Sequence, residues 1–422
     1  MKVMACLFIV GIMWLAPQAW GFQGDPEPGD AERFGYFLEK NRKKARVPFE
    51  LHSNLILIYL QVNEFDSLRF ILDTGVSATI VTDPAALDTT KLNMTRKINL
   101  SGIGEGKAVV GKIAIGNIVR IGSVRGNFQN IIVLQQDLLM LSEYIGVPVH
   151  GIIGSDLLSN FVVTIDFVRH ELVFTNHINY TYTPRKGTRL PIEIINSKPF
   201  ISSVHLLEGN LEREIKVLID TGAGHALLLT TDPEHPFKLP DKLLRSQLGW
   251  GLGGMINGSL GRIPEVKIGD FVLKDLLASF PDHASFAFKL DSSANRQGNI
   301  GCELLRRFKV TLNYNERYMV LKRVRSRFRE KFEHDMSGMD IKADVKDFRS
   351  FTVVHVNKNS PAEEAGVQEG DQLIFINESP ASEFNVSGIY KLFQTGDGKK
   401  IQLLVRRDGN IFFAILTLRR MI

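Results

Sequence analysis

Two aspartates carry the strongest chemical signal in this chain. Asp73 and Asp220 each end an apolar run and are followed at once by Thr-Gly, in the stretches FILDTGVSAT and VLIDTGAGHA. They lie 147 residues apart. Two carboxyls brought within hydrogen-bonding distance cannot both ionise near neutral pH, so such a pair shares one proton. One member can then take a proton from a bridging water while the other protonates a substrate carbonyl oxygen. That is general acid–base hydrolysis without a covalent intermediate. Gly75 and Gly222 would permit the tight turn and let backbone N–H groups approach the carboxylates. Thr74 and Thr221 offer hydroxyls able to bond across to the opposite half and lock the two loops together.

Such a pair needs two similar units to position it, and the chain contains them. At the same offset, SGIGEG (Gly102, Ile103, Gly104) maps onto LGWGLG (Gly249, Trp250, Gly251), GIIGSDLL onto GNIGCELL, and FVVTIDFVRHELVF onto FKVTLNYNERYMVL. These blocks in register define a duplicated unit of roughly 140 residues. Apolar runs such as Leu55 to Leu60, Arg69 to Leu72, Lys112 to Ile115 and Ile131 to Leu134 read as strands separated by Gly- or Asn-rich turns. SDLL and CELL read as one short helix per unit. The expected fold is mostly β: a bilobal, pseudo-two-fold arrangement with a cleft between the lobes, where ligand sites concentrate.

With these residues the chain resembles the pepsin/retropepsin-like aspartic peptidases, in the bacterial form with two tandem retropepsin-like units. The resemblance covers about residues 47 to 324. Asp73-Thr74-Gly75 and Asp220-Thr221-Gly222 match the catalytic triplet, and Ile152-Ile153-Gly154 matches the second signature, two apolar residues then Gly. The second copy, Asn299-Ile300-Gly301, departs from it. The resemblance implies that Asp73 and Asp220 are catalytic, and that the Gly102–Gly104 and Gly249–Gly251 segments are two flap hairpins that cover the substrate. Pepsin-like enzymes often place a Ser or Thr directly after the triplet, where it donates to the ionised carboxylate. Here those positions are Val76 and Ala223, so the lower apparent pKa of the pair is expected to exceed a pepsin's. His225 reads as a surface or cleft-wall residue, because the dyad needs no further base, and Cys302 as a small buried hydrophobe. No HExxH or paired His spacing suggests a metal, and no cofactor is implied.

The first residues look like an export signal. Lys2 precedes the apolar run Val3 to Leu15, and Ala19-Trp20-Gly21 suits cleavage after Gly21. After cleavage no stable transmembrane segment is expected. Only Cys302 is then left, so no internal disulfide can form. That fits a periplasmic or secreted bacterial protein. At 44% hydrophobic and 23% charged residues, with a net charge of +5, the chain is an ordinary globular protein with no sign of a nucleic-acid partner.

Beyond residues 22–46 (an N-terminal segment), 47–186 (lobe 1) and 187–324 (lobe 2), Val324, Phe328 and Phe332 stand four apart and predict an amphipathic linker helix over 325–334. Residues 335–422 have a different texture. In NSPAEEAGVQEGDQLIFINE, Ser360 caps a helix, Pro361 suits its first turn, Glu363 can complete a capping box and Gly366 ends it. This stretch resembles the core signature of PDZ domains of the bacterial envelope-protease type. The resemblance implies an α+β domain with a peptide groove between the strand FTVVHV (Phe351, Val353) and a helix from Val386 carrying Ile389. The loop before Phe351 lacks the Gly-apolar-Gly pattern that captures a terminal carboxylate. The expected partners are polypeptide substrates and a peptide ligand of this domain. The function expected is aspartic endopeptidase activity, the rival being a silent peptide-binding scaffold of the envelope.

Overall fold

The computed structural model describes residues 33–422 except 101, 103, 105–107, 209–210, 231–237 and 287–294. The leader-like residues 1–21 and the hairpin residue Ile103 therefore lie outside the described residues. The chain is mostly β, with short helices at the ends of strands.

The first lobe is a nine-stranded sheet whose central strands are buried on both faces, which explains their nearly unbroken apolar runs. Along the strand Leu55–Val62, Ile56, Ile58, Leu60 and Val62 face the main core, while Leu57 faces a smaller cluster with Ile71, Ile80 and Ile152. The strand Gly151–Ile153 threads between Phe65–Leu72, to which it is parallel, and Thr79–Val81, to which it is antiparallel. In the second lobe Gly298–Ile300 does the same between Leu211–Ile219 and Leu227–Leu229. Each threaded strand ends in a glycine under the aspartate loop. A Cβ on Gly154 would lie 2.3 Å from the carbonyl oxygen of Val76, and one on Gly301 the same distance from that of His225. The apolar-apolar-Gly pattern is thus a requirement of close backbone approach.

A six-stranded sheet joins the lobes. Val162–Asp166 of the first lobe pairs antiparallel with Phe308–Asn313 of the second, and Thr164 stands opposite Thr311 with their hydroxyls 2.8 Å apart. Thr311 is the repeat equivalent of Thr164. A residue facing its own equivalent marks the pseudo-two-fold axis, so the duplication read along the sequence is a symmetry of the molecule.

The boundaries near the N-terminus differ from expectation. The described part of the N-terminal segment does not stand apart from the first lobe: Gly35–Leu38 pairs with Val124–Leu134, and Lys44–Pro48 pairs with Glu171–Thr175 in the joining sheet. The linker differs as well. Only Arg325–Phe328 is helical, a single turn, while Lys322 and Arg323 belong to the strand Tyr318–Arg323. The four-residue spacing reflects docking instead. Phe328 packs edge-on to Phe308, and Phe332 lies under the Arg307 guanidinium, 3.5 Å away.

The C-terminal domain has its own core around Ile341, Phe351, Leu373, Ile389 and Leu403, in a six-stranded sheet. Ser360 caps the Pro361–Glu364 helix by accepting from Glu363 N–H, and Glu363 reaches back to Asn359 N–H. Among the described residues no helix is long and apolar enough to cross a membrane.

Candidate active site

The aspartate strands of the two lobes end side by side on the pseudo-two-fold axis. Thr74 and Thr221 are fully buried there and bonded reciprocally. Thr74 N–H donates to Thr221 Oγ1 (3.1 Å) and Thr221 N–H to Thr74 Oγ1 (2.9 Å). Each hydroxyl in turn donates to a main-chain carbonyl of the opposite lobe, Ile219 (2.5 Å) and Leu72 (2.8 Å). A hydroxyl serves because it can accept and donate at once.

This cross-lobe lock brings Asp73 and Asp220 together. Gly75 N–H donates to Asp73 Oδ1 (2.6 Å), and Gly222 N–H to Asp220 Oδ1 (3.0 Å). The triplet glycines lie against the opposite carboxyl: a Cβ on Gly222 would fall 2.2 Å from Asp73 Cγ, and one on Gly75 3.4 Å from Asp220 Cγ. Burial, and next the negative charge of Asp220, push the Asp73 carboxyl up to about 8. One proton held between two carboxyls at neutral pH is the electrostatic condition for acid–base work.

Around the pair, the role of Asn299 is what the sequence reading missed. Asn299 Nδ2 donates to Asp220 Oδ2 at 2.6 Å. The donor absent at Ala223 is thus supplied from the threaded strand. His225, read from the sequence as a surface or cleft-wall residue, is half-buried, its Nε2 shielded from solvent. Cys302 is fully buried under the second loop, its thiol donating to Thr221 O. The signal for Asn299 was present, as a polar residue where the repeat has Ile152.

The Gly-rich segments of the two lobes meet each other. Leu244–Gly251 and Gly254–Ile268 form a hairpin with Trp250 opposite Met255. Gly102 and Gly104 of the first lobe touch its tip: a Cβ on Gly102 would lie 2.4 Å from Leu252 Cβ, and one on Gly104 2.5 Å from Gly253 C. Gly249 sits at a bulge with φ of +134°, while Trp250 packs on Tyr144 with ring centroids 5.5 Å apart.

The groove residues of the C-terminal domain need correction. Phe351–Val356 is an interior strand, paired with Met339–Ala343 on one side and Gln372–Ile376 on the other, and Phe351 and Val353 are core residues. The edge facing the Val386–Phe393 helix belongs to Met339–Ala343. Ile389, on that helix, is fully buried. Both walls of this groove make contacts within the chain. Tyr390 Oη accepts from Ile341 N–H, and the Asp335 carboxylate accepts from Ser337 and Gly338 N–H at the start of the edge strand. The first-lobe helix Leu141–Ile145 packs against both sides of the groove, with Lys342 Nζ 2.6 Å from Glu143 Oε2.

Residues 58–157 match the aspartyl protease family, and residues 352–407 match the PDZ domain. No significant match to a curated protein is found. The matched segment holds the first triplet and Gly154, and the second lobe repeats its strands in order. The chain thus carries a segment like the aspartyl proteases, repeated in its second lobe, and a C-terminal PDZ domain.

Proposed function

We propose that the protein is an aspartic endopeptidase, and that Asp73 and Asp220 are its catalytic dyad. The observation that carries this reading is the meeting of the two carboxyls, each bound by its own triplet glycine, on a cross-lobe lock. In the reaction the ionised carboxylate takes a proton from water as the water oxygen bonds to the peptide carbonyl carbon. The protonated carboxyl gives its proton to the carbonyl oxygen, leaving a neutral gem-diol. On collapse the first carboxyl protonates the amide nitrogen, a gem-diol proton returns to the second, and the C–N bond breaks. The products are a carboxylic acid and an amine, and the dyad regains its single proton.

The touching hairpins support a role in closing over an extended polypeptide, with Gly102, Ile103, Gly104, Gly249, Trp250 and Gly251 at or near the cover. The PDZ domain supports capture of polypeptide. The leader-like residues 1–21 support export to the periplasm or the outside of the cell.

The test is hydrolysis of casein or a mixed peptide library by wild type, Asp73→Asn and Asp220→Asn. Coupled groups lose function together, so each single variant is expected to lose all but a trace of turnover while staying folded. Substantial turnover by either variant would end the dyad reading. A well-folded wild type that cleaves nothing, yet binds peptides, would favour a silent scaffold.

A further inference from the structure

The two halves of the dyad are alike at the triplet and unlike one strand away. Asn299 takes the place that Ile152 holds in the first lobe, and His225 that of Ala78. Both threaded strands run parallel to their aspartate strands in the same register, Ile152 opposite Ile71 and Asn299 opposite Leu218. The backbone therefore offers equivalent places, and only the second lobe puts a hydrogen-bonding group there.

Asn299 is 5% exposed, and its Nδ2 stands 2.6 Å from Asp220 Oδ2. The amide NH2 is turned toward Asp220, an arrangement that suits an ionised carboxylate, which can only accept. Asp220 thus accepts on both oxygens, from Gly222 N–H and from Asn299. Asp73, among the described residues, accepts a backbone donor on Oδ1 alone, from Gly75. Hydrogen bonds donated to a carboxylate favour its ionised form.

The titratable groups around Asp220 do not supply a competing cation. They are Asp73 across the pair, His225 and Cys302. Burial drives the His225 imidazole toward its neutral form and the Cys302 thiol away from thiolate. Lys198 and Tyr314 act on the Asp73 side.

We infer that Asn299 is a positioning residue that holds the dyad's negative charge on Asp220 and leaves the shared proton on Asp73. This rests on the hydrolytic reading of the dyad. Asp220 is then the base that takes the proton from water, and Asp73 the acid that protonates the carbonyl oxygen. The two-fold symmetry of the triplets is broken by one amide.

The test replaces Asn299 with the first-lobe residue, Asn299→Ile, and with a smaller donor, Asn299→Ser. The pH profile of kcat/KM is measured for both. Losing a hydrogen bond to a charged group is expected to move the acidic limb up by about one to two pH units. KM should change little, and Asn299→Ser should bring the limb partly back. An unmoved limb in a folded, active Asn299→Ile overturns the inference. So does equal loss of rate in both variants with no shift, which marks a purely structural asparagine. A second readout does not depend on turnover: titration of the pair by NMR with aspartate carboxyls labelled with carbon-13. The lower step of the pair should rise in Asn299→Ile, and an unmoved step overturns the inference. Should wild type prove inactive, the peptidase reading fails, while the NMR titration still decides where the charge resides.

Discussion

At the scale of single residues, the proposed dyad would couple activity to pH and pH to stability through the same group. In the proposed mechanism the pair works only with one proton, so activity must fall on the alkaline side where Asp73 gives it up. With its carboxyl pushed to about 8, turnover is expected to persist at neutral pH and to decline above that value. A profile confined to strongly acidic pH would contradict this. The same shift sets the sign of the stability effect. The folded state holds the Asp73 proton more tightly than the unfolded chain does. Its contribution is therefore present in full below 3.8 and is lost as pH rises to about 8. Thermal melts of Asp73→Asn should lack that part of the decline, so the variant should gain stability relative to wild type as pH rises through the window. Both triplets were legible in the sequence because carboxylate, hydroxyl and glycine each have one job at fixed spacing. Asn299 was visible only as a departure from a pattern. Sequence alone does not say which way a side chain at a strand end points.

Between residues and the whole stand the loops and strands that hold the carboxyls. The threonine lock predicts a cooperative loss. Thr74→Val keeps the shape but removes the hydroxyl, leaving Thr221 N–H without its acceptor and Ile219 O without its donor. Each orphaned buried group costs about 1–3 kcal/mol. Thr74→Val is therefore expected to lower stability by a few kcal/mol and to cut kcat more than KM, read by denaturant unfolding and steady-state kinetics. A variant of wild-type stability and rate would show that the lock does not position the dyad. At this scale the strand blocks and the short helices Ser155–Leu158 and Cys302–Leu305 were readable, because apolar runs and glycines are local signals. The groove strand was not. Met339, Ile341 and Ala343 alternate inward as an edge strand should, but five residues make a weak pattern beside the stronger FTVVHV, which lies inside the folded sheet. The linker spacing misled for a related reason: apolar residues four apart fit a helix and also a turn leading into a docked segment.

At the scale of the molecule, the protease lobes depend on the segment that leads into the C-terminal domain more than on the domain itself. Residues just beyond the strand Tyr318–Arg323 are part of the second lobe's packing. Phe328 lies among Phe271 and Phe308, and Phe332 is buried under Arg307, whose side chain is fully enclosed. Arg307 also donates to the carbonyls of Glu330 and Lys331, and Arg262 to that of Phe332. A chain ending after Arg325 loses both rings and those acceptors. Removing one buried Phe costs about 3–5 kcal/mol, so this chain is expected to be unstable or unfolded. A chain ending after His334 keeps the rings. It gives up the packing of the Leu141–Ile145 helix and Gly146 on the C-terminal domain, and three polar, partly exposed pairs: Lys342 with Glu143, Ser387 with Ser53 N–H, and Arg420 with Glu333. Such pairs contribute little to stability. The packing of one short helix is the larger loss, so this chain should stay folded, melt somewhat below full length and cleave short peptides at a similar rate. On long polypeptides it should lose efficiency, because a tethered binding domain raises the local concentration of substrate at the cleft. The measurements are melting curves and kcat/KM on a short peptide and on casein for the three chains. If the chain ending after His334 is folded but inactive on the short peptide, the C-terminal domain belongs to the catalytic assembly. The route for that would be its contact with the Leu141–Ile145 helix, whose Tyr144 packs on Trp250 of the hairpin. If it matches full length on casein too, the domain has no tethering role in catalysis.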